Sequence, residues 1–137
     1  MTGVIMPFDP KMKILIVDDM NTMRKIIKGM LTKLGCDNLT EADDGIPAWE
    51  AIQEAQKQGK PFQFIISDWN MPGMTGIDLL KNFRSKPEFK TTPFLMVTAE
   101  AEQANIVVAV KAGVSNYIIK PFSPDTFKLK LDKVFPK

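Results

Sequence analysis

Three carboxylates, one hydroxyl and one ammonium stand at the ends of four short apolar runs. Ile14-Leu15-Ile16-Val17 stops at Asp18-Asp19, and Phe64-Ile65-Ile66-Ser67 stops at Asp68. Phe94-Leu95-Met96-Val97 stops at Thr98, and Tyr117-Ile118-Ile119 stops at Lys120-Pro121. Oxygen ligands suit hard cations, and Mg²⁺ typically takes one or two carboxylates with waters and a phosphate. Asp18, Asp19 and Asp68 supply such ligands, and three carboxylates held close repel strongly without a cation. A lysine beside them can approach a carboxylate or a phosphoryl oxygen. Together these groups describe a metal-plus-phosphoryl site. Each alone has a plainer reading: aspartates also end strands as turn residues or caps, threonine favours strands, and a lysine before a loop proline is commonly a surface residue. The joint arrangement, one group per run, carries the assignment.

The elements that must position these groups follow from the same runs. Short apolar runs separated by helix-length segments read as buried parallel strands. In an open parallel α/β sheet the carboxyl ends of the strands share one edge, where ligands bind. Five β-α units are expected. The first strand covers roughly Lys13 to Val17. The helix after it carries Met23, Ile26, Ile27, Met30, Leu31 and Leu34 as one stripe and stops at Gly35. The second strand, near Leu39 to Ala42, is poor in apolar residues and suits an edge. Asp43-Asp44-Gly45 turns the chain, and Pro47 fits the first turn of a helix bearing Ala48, Ala51, Ile52 and Ala55. Gly59-Lys60-Pro61 ends it. The third strand leads to Asp68, and Met71-Pro72-Gly73-Met74 is a loop. Further helices are expected from about Gly76 to Arg84 and from about Glu102 to Gly113, with strands after Pro93 and near Asn116 to Ile119. The last helix takes Ser123 as cap and Pro124 in its first turn, and buries Phe127, Leu131, Val134 and Phe135.

Length and composition bound the function. The chain has 137 residues, 45% of them apolar, enough for one packed domain. Residues 1–11 read as a loose N-terminal extension, and 12–137 as the domain. Eighteen basic against sixteen acidic residues give a net charge of +2, too mild to argue for nucleic acid. No run is long and apolar enough to cross a membrane, and nothing reads as a signal peptide. A single cysteine, Cys36, forbids an internal disulfide and fits a reducing cytoplasm. The chain has no histidine, which excludes histidine-ligated metals, catalytic triads and a phosphohistidine of its own. Any phosphoryl group must come from another molecule.

The strings around these residues resemble a known family. Val17-Asp18-Asp19, Thr22-Met23-Arg24, Ser67-Asp68-Trp69-Asn70-Met71-Pro72, Met96-Val97-Thr98-Ala99-Glu100 and Lys120-Pro121-Phe122 are similar to those of receiver domains of two-component signalling. Among these the chain resembles the single-domain chemotaxis response regulators of the CheY type, from Lys13 to Phe135. That resemblance implies a flavodoxin-like (βα)5 fold. Its parallel sheet order, 2-1-3-4-5, is the known order of that regulator and is taken from it, not predicted. It implies that Asp68 accepts the phosphoryl group as an acyl phosphate. Asp19 would coordinate Mg²⁺ directly, Asp18 through water, and the Asn70 backbone carbonyl would complete the protein ligands. Lys120 would pair with phosphoryl oxygens, Thr98 would move to hydrogen-bond them, and Tyr117 would turn inward as Thr98 leaves space. The Lys120-Pro121 bond would be cis.

The implied partners are a chemotaxis-type histidine kinase, the flagellar motor switch protein and an auxiliary phosphatase. A cytoplasmic monomer without DNA or membrane insertion is expected. With the sequence closing soon after its last helix, output is expected to be binding rather than intramolecular. The protein is expected not to be an enzyme beyond its own Mg²⁺-dependent phosphorylation and dephosphorylation. Two other readings are a phosphorelay intermediate or phosphate sink, and a phosphatase of the haloacid dehalogenase type. The latter wants a second aspartate two residues after the nucleophile, where Asn70 stands. Gly73 and Thr75 replace an expected Asn and Asp, Glu102-Gln103 replace expected lysines, and the Gln56 to Pro61 connection is long; these departures bear on partner choice. Lys111, Lys128, Lys130 and Lys133 read as a basic face, either solvated or matched to an acidic peptide.

Overall fold

In the computed structural model, which describes residues 8–99 and 103–135, five parallel strands form one sheet in the order β2-β1-β3-β4-β5. The elements are β1 (Ile14–Val17), α1 (Asn21–Lys33), β2 (Leu39–Ala42), α2 (Gly45–Lys57), β3 (Phe64–Asp68), α3 (Gly76–Arg84), β4 (Phe94–Thr98), α4 (Gln103–Lys111), β5 (Asn116–Ile119) and α5 (Pro124–Val134). A short 3₁₀ turn, Pro87–Phe89, precedes β4 and is absent from the sequence-based expectation. The three central strands are buried along their whole length. Up to the polar residues Ser67, Asp68 and Thr98 at the ends of β3 and β4, they are apolar at successive positions rather than alternating, as two covered faces require. β2 lies at an edge, as its polar content predicts.

Successive residues of each strand feed opposite faces. Leu15, Val17, Ile65, Phe94 and Met96 meet α2 and α3 through Ala48, Ile52, Leu79, Leu80 and Phe83. Ile14, Ile16, Phe64, Ile66, Leu95 and Val97 meet α1 and α5 through Ile27, Leu31, Phe127 and Leu131. The expected stripe of α1 needs one correction: Ile26 is 43% exposed, because Ile27 and Leu31 alone face the sheet squarely. Phe8, within the expected loose extension, packs edge-to-face on Phe135 with ring centroids 5.4 Å apart. Residues 1–7 lie outside the described residues, as does Glu102, the expected start of α4. Ser123 caps α5 by accepting from the Thr126 N–H, and Asp44 caps α2 through Ile46.

Candidate functional site

Parallel register brings the expected groups to one sheet edge. Val17 pairs with Ser67, Asp68 with Val97, and Thr98 with Ile119, so the residues that end β1, β3, β4 and β5 are neighbours. Asp18 is fully buried, Asp68 is 6% exposed, and Thr98 is buried beside them. Asp19 is exposed at the rim. Asp18, Asp19 and Asp68 each offer an oxygen, and these oxygens lie within 4.8 Å of one another.

Lys120 holds this cluster together. Its Nζ donates to Asp18 Oδ2 and to Asp68 Oδ1, each at 3.1 Å. Its backbone N–H donates to the Thr98 carbonyl at 2.8 Å, which fixes the root of the side chain. The Lys120-Pro121 bond is cis, as expected. Asp68 Oδ1 also accepts from the Trp69 N–H, and Asp18 Oδ1 from the Met20 N–H. Arg24 reaches back from α1 to donate to the Asp18 carbonyl at 2.7 Å while its Nε pairs with Glu41. Burial, with the Asp18 charge added, pushes the Asp68 carboxyl above its ordinary value, and Lys120 only partly opposes this. Burial works against the Lys120 ammonium, but the two carboxylates outweigh it and hold its pKa above the ordinary value. The two directions agree physically: one cation between two carboxylates stays charged, and the pair keeps an excess of negative charge.

That excess, with an all-oxygen donor set of three carboxylates against one ammonium, fits a hard divalent cation. Asn70 sits beside it: Asp19, Asn70, Met71, Pro72 and Thr75 line a cleft of about 300 Å³. Tyr117 is not part of the cluster. It is half-buried on β5, with Lys130 Nζ 4.7 Å from its ring centroid. The string Thr22-Met23-Arg24 assigns Arg24 no task; a cation one turn into the helix after an acidic strand end is the available signal. Asp44 reads from the sequence only as a turn residue. Its contacts cross 29 and 30 positions of chain, to Gly73 and Met74, and no local pattern reports them.

The fold and this edge define a class. The response regulator receiver domain family matches residues 14–132, and the chain belongs to it. Within that family it is a receiver domain of the CheY type. It is 52% identical over 126 residues to chemotaxis protein CheY-3 of Vibrio cholerae, spanning 92% of this chain and 93% of that one. Among solved structures, chemotaxis response regulator CheY4 of Vibrio cholerae aligns with a TM-score of 0.78 at 35% identity, over 90% of this chain and 98% of its own. The receiver domain of a Pseudomonas aeruginosa sensor histidine kinase aligns with a TM-score of 0.76 at 26% identity, over 93% of this chain and 99% of its own. That neighbour has a magnesium ion coordinated in its active site cleft.

Proposed function

We propose that this protein is a phosphorylation-controlled switch of chemotaxis that accepts a phosphoryl group on Asp68 from a histidine kinase and then binds the flagellar motor switch. The observation that carries this reading is the Lys120 ammonium bridging Asp18 and Asp68 beside the exposed Asp19. An Asp68 oxygen attacks phosphorus, the bond from phosphorus to the donor's imidazole nitrogen breaks, and the imidazole leaves with the electron pair. Water later cleaves the acyl phosphate to restore the carboxylate and release inorganic phosphate. Asp18, Asp19, Asp68 and the Asn70 carbonyl would hold Mg²⁺, which supplies positive charge to the transferred oxygens when bound. Lys120 supplies a second positive charge from the end of β5, across β4. Thr98 and Tyr117 form the switch that carries the event away from the site.

The output face in this reading is α4, β5 and α5. Val107, Val108 and Val110 of α4, Ile119 of β5 and Leu129 of α5 are exposed apolar residues there. Lys111, exposed, and Lys130, half-buried, flank them. The protein in this reading turns over only its own acyl phosphate, aided by an auxiliary phosphatase, and works in the cytoplasm. No described helix is long and apolar enough to cross a membrane. Incubation with acetyl phosphate and Mg²⁺ is expected to add one phosphoryl mass, labile to base. The same gain in Asp68→Asn rejects the assignment.

A further inference from the structure

Backbone N–H groups hold the Asp44 carboxylate, and among the described residues it forms no ion pair. Its Oδ1 accepts from the Gly73 N–H at 2.8 Å, and its Oδ2 from the Met74 N–H and the Ile46 N–H, each at 3.0 Å. The Gly45 N–H returns a bond to the Met74 carbonyl at 3.2 Å. The loop held in this way runs from Asp68 to α3 and contains Asn70. Its other end is closed by the Gly76 N–H on the Trp69 carbonyl at 2.8 Å. A Cβ on Gly76 would collide with the Asp68 carbonyl, so glycine lets the loop fold directly onto the strand end. A Cβ on Gly73 would lie 2.5 Å from Asp44 Oδ2. Glycine at position 73 therefore leaves the space that the carboxylate fills. Thr75, the other departure in this loop, accepts from the Asp78 N–H and caps α3.

We propose that Asp44 is a positioning residue for the metal-and-phosphoryl site, strapping the Met71–Thr75 loop so that Asn70 stays opposite Asp19, and that Gly73 is the glycine this strap requires. The proposal rests on the reading of Asp18, Asp19 and Asp68 as a Mg²⁺ site. One wall of the cleft between Asp19 and Asn70 is the loop itself, which Asp44 fixes at Gly73 and Met74. Outer partners that orient metal ligands typically matter by tenfold or more in affinity. The strap acts at the backbone, where the expected Asn70 ligand is also a backbone atom. α2 and its cap thereby become part of the site although no residue of α2 lies in the acidic cluster.

The test is calorimetric titration of the whole protein with Mg²⁺ alone. Asp44→Ser retains an oxygen able to cap α2 but is too short to hold Gly73 and Met74. Gly73→Ala leaves Asp44 in the sequence but displaces its carboxylate, including the Oδ2 that caps α2. Both variants are expected to weaken Mg²⁺ binding about tenfold and to speed hydrogen exchange at the Met74 amide. Ser115→Ala serves as control, because it unpairs the Phe94 N–H at the opposite end of the sheet. It is expected to lower stability and leave Mg²⁺ affinity unchanged. Wild-type affinity in both Asp44→Ser and Gly73→Ala, or equal weakening in Ser115→Ala, overturns the strap. Failure of the wild type to bind Mg²⁺ in an Asp19-dependent way overturns the functional reading itself, and the strap with it.

Discussion

Lys120 sets one positive charge against two buried carboxylates, and the site's energetics follow from that imbalance. Removing the ammonium strands Asp18 and Asp68 in a buried place with no counter-charge. Breaking a buried pair in this way costs about 3–5 kcal/mol. Removing Asp68's charge does the reverse. Its pKa is raised first by burial and then by Asp18, so its ionised form weighs against folding at neutral pH. The sign follows from linkage: with the folded pKa above the unfolded one, stability falls as pH rises through that interval. In Mg²⁺-free buffer, urea unfolding at pH 7 is expected to show Asp68→Asn more stable than wild type by about 1 kcal/mol. Lys120→Met is expected to be the least stable of the three. Asp68→Asn less stable than wild type would show that the Lys120 pair outweighs the repulsion. A functional group that lowers stability is the signature of a site kept for its chemistry rather than for the fold.

At the scale of elements, the joint between α2 and the loop after β3 is electrostatic and therefore sensitive to acid. Burial raises the Asp44 carboxyl, but the N–H groups of Ile46, Gly73, Met74 and Gly45 outweigh it and hold its pKa below the ordinary value. A depressed folded pKa contributes stability that is present above the unfolded pKa and is lost as pH falls through the folded one. Hydrogen bonds to a charged group contribute about 1.5–3 kcal/mol, and partial exposure reduces this to about 1 kcal/mol. The difference in unfolding free energy between wild type and Asp44→Asn is expected to be largest at neutral pH and to shrink below the ordinary carboxylate range. A difference independent of pH would mean that shape, not charge, holds the joint. This joint also marks where the sequence stops being readable. Strand ends, Ser123 as cap, the edge position of β2 and the gathering of Asp18, Asp19, Asp68, Thr98 and Lys120 all follow from local pattern plus one topological rule. The Asp44 contact, the Arg24 bond to Asp18 and the exposure of Ile26 depend on which loops and helix faces meet in three dimensions. The 3₁₀ turn at Pro87–Phe89 exists because Phe89 stacks on Phe83 with centroids 4.5 Å apart, a packing event with no periodic signal.

At the scale of the whole molecule, the proposed function requires that an event at one edge of the sheet change the face of α4, β5 and α5. β5 spans the distance: Tyr117 on the strand lies three residues before Lys120, which follows its end, and Met96 opposite Tyr117 lies two residues before Thr98. Movement of Thr98 toward a phosphoryl oxygen would empty space that the tyrosine ring can enter. The ring now carries Lys130 near its face, so its departure would release that ammonium from the ring and leave only its 3.5 Å bond to Asn116 Oδ1 to compete with an acidic partner. Val107, Val108 and Val110 supply the apolar part of the same surface. A partner shifts such an equilibrium only by its differential affinity for the two arrangements. Coupling of this kind is typically about 1–3 kcal/mol, so phosphorylation is expected to tighten partner binding roughly five- to 150-fold without being required for it. The measurement is a titration of motor-switch peptides against the unmodified protein and against protein carrying beryllofluoride at Asp68. Lys130→Ala is expected to lower affinity for the modified state more than for the unmodified one, because only there is the ammonium released from the ring. Equal affinity in both states, or an interface mapped to α2 and α3, would leave a receiver that passes or drains phosphoryl groups in place of a motor ligand.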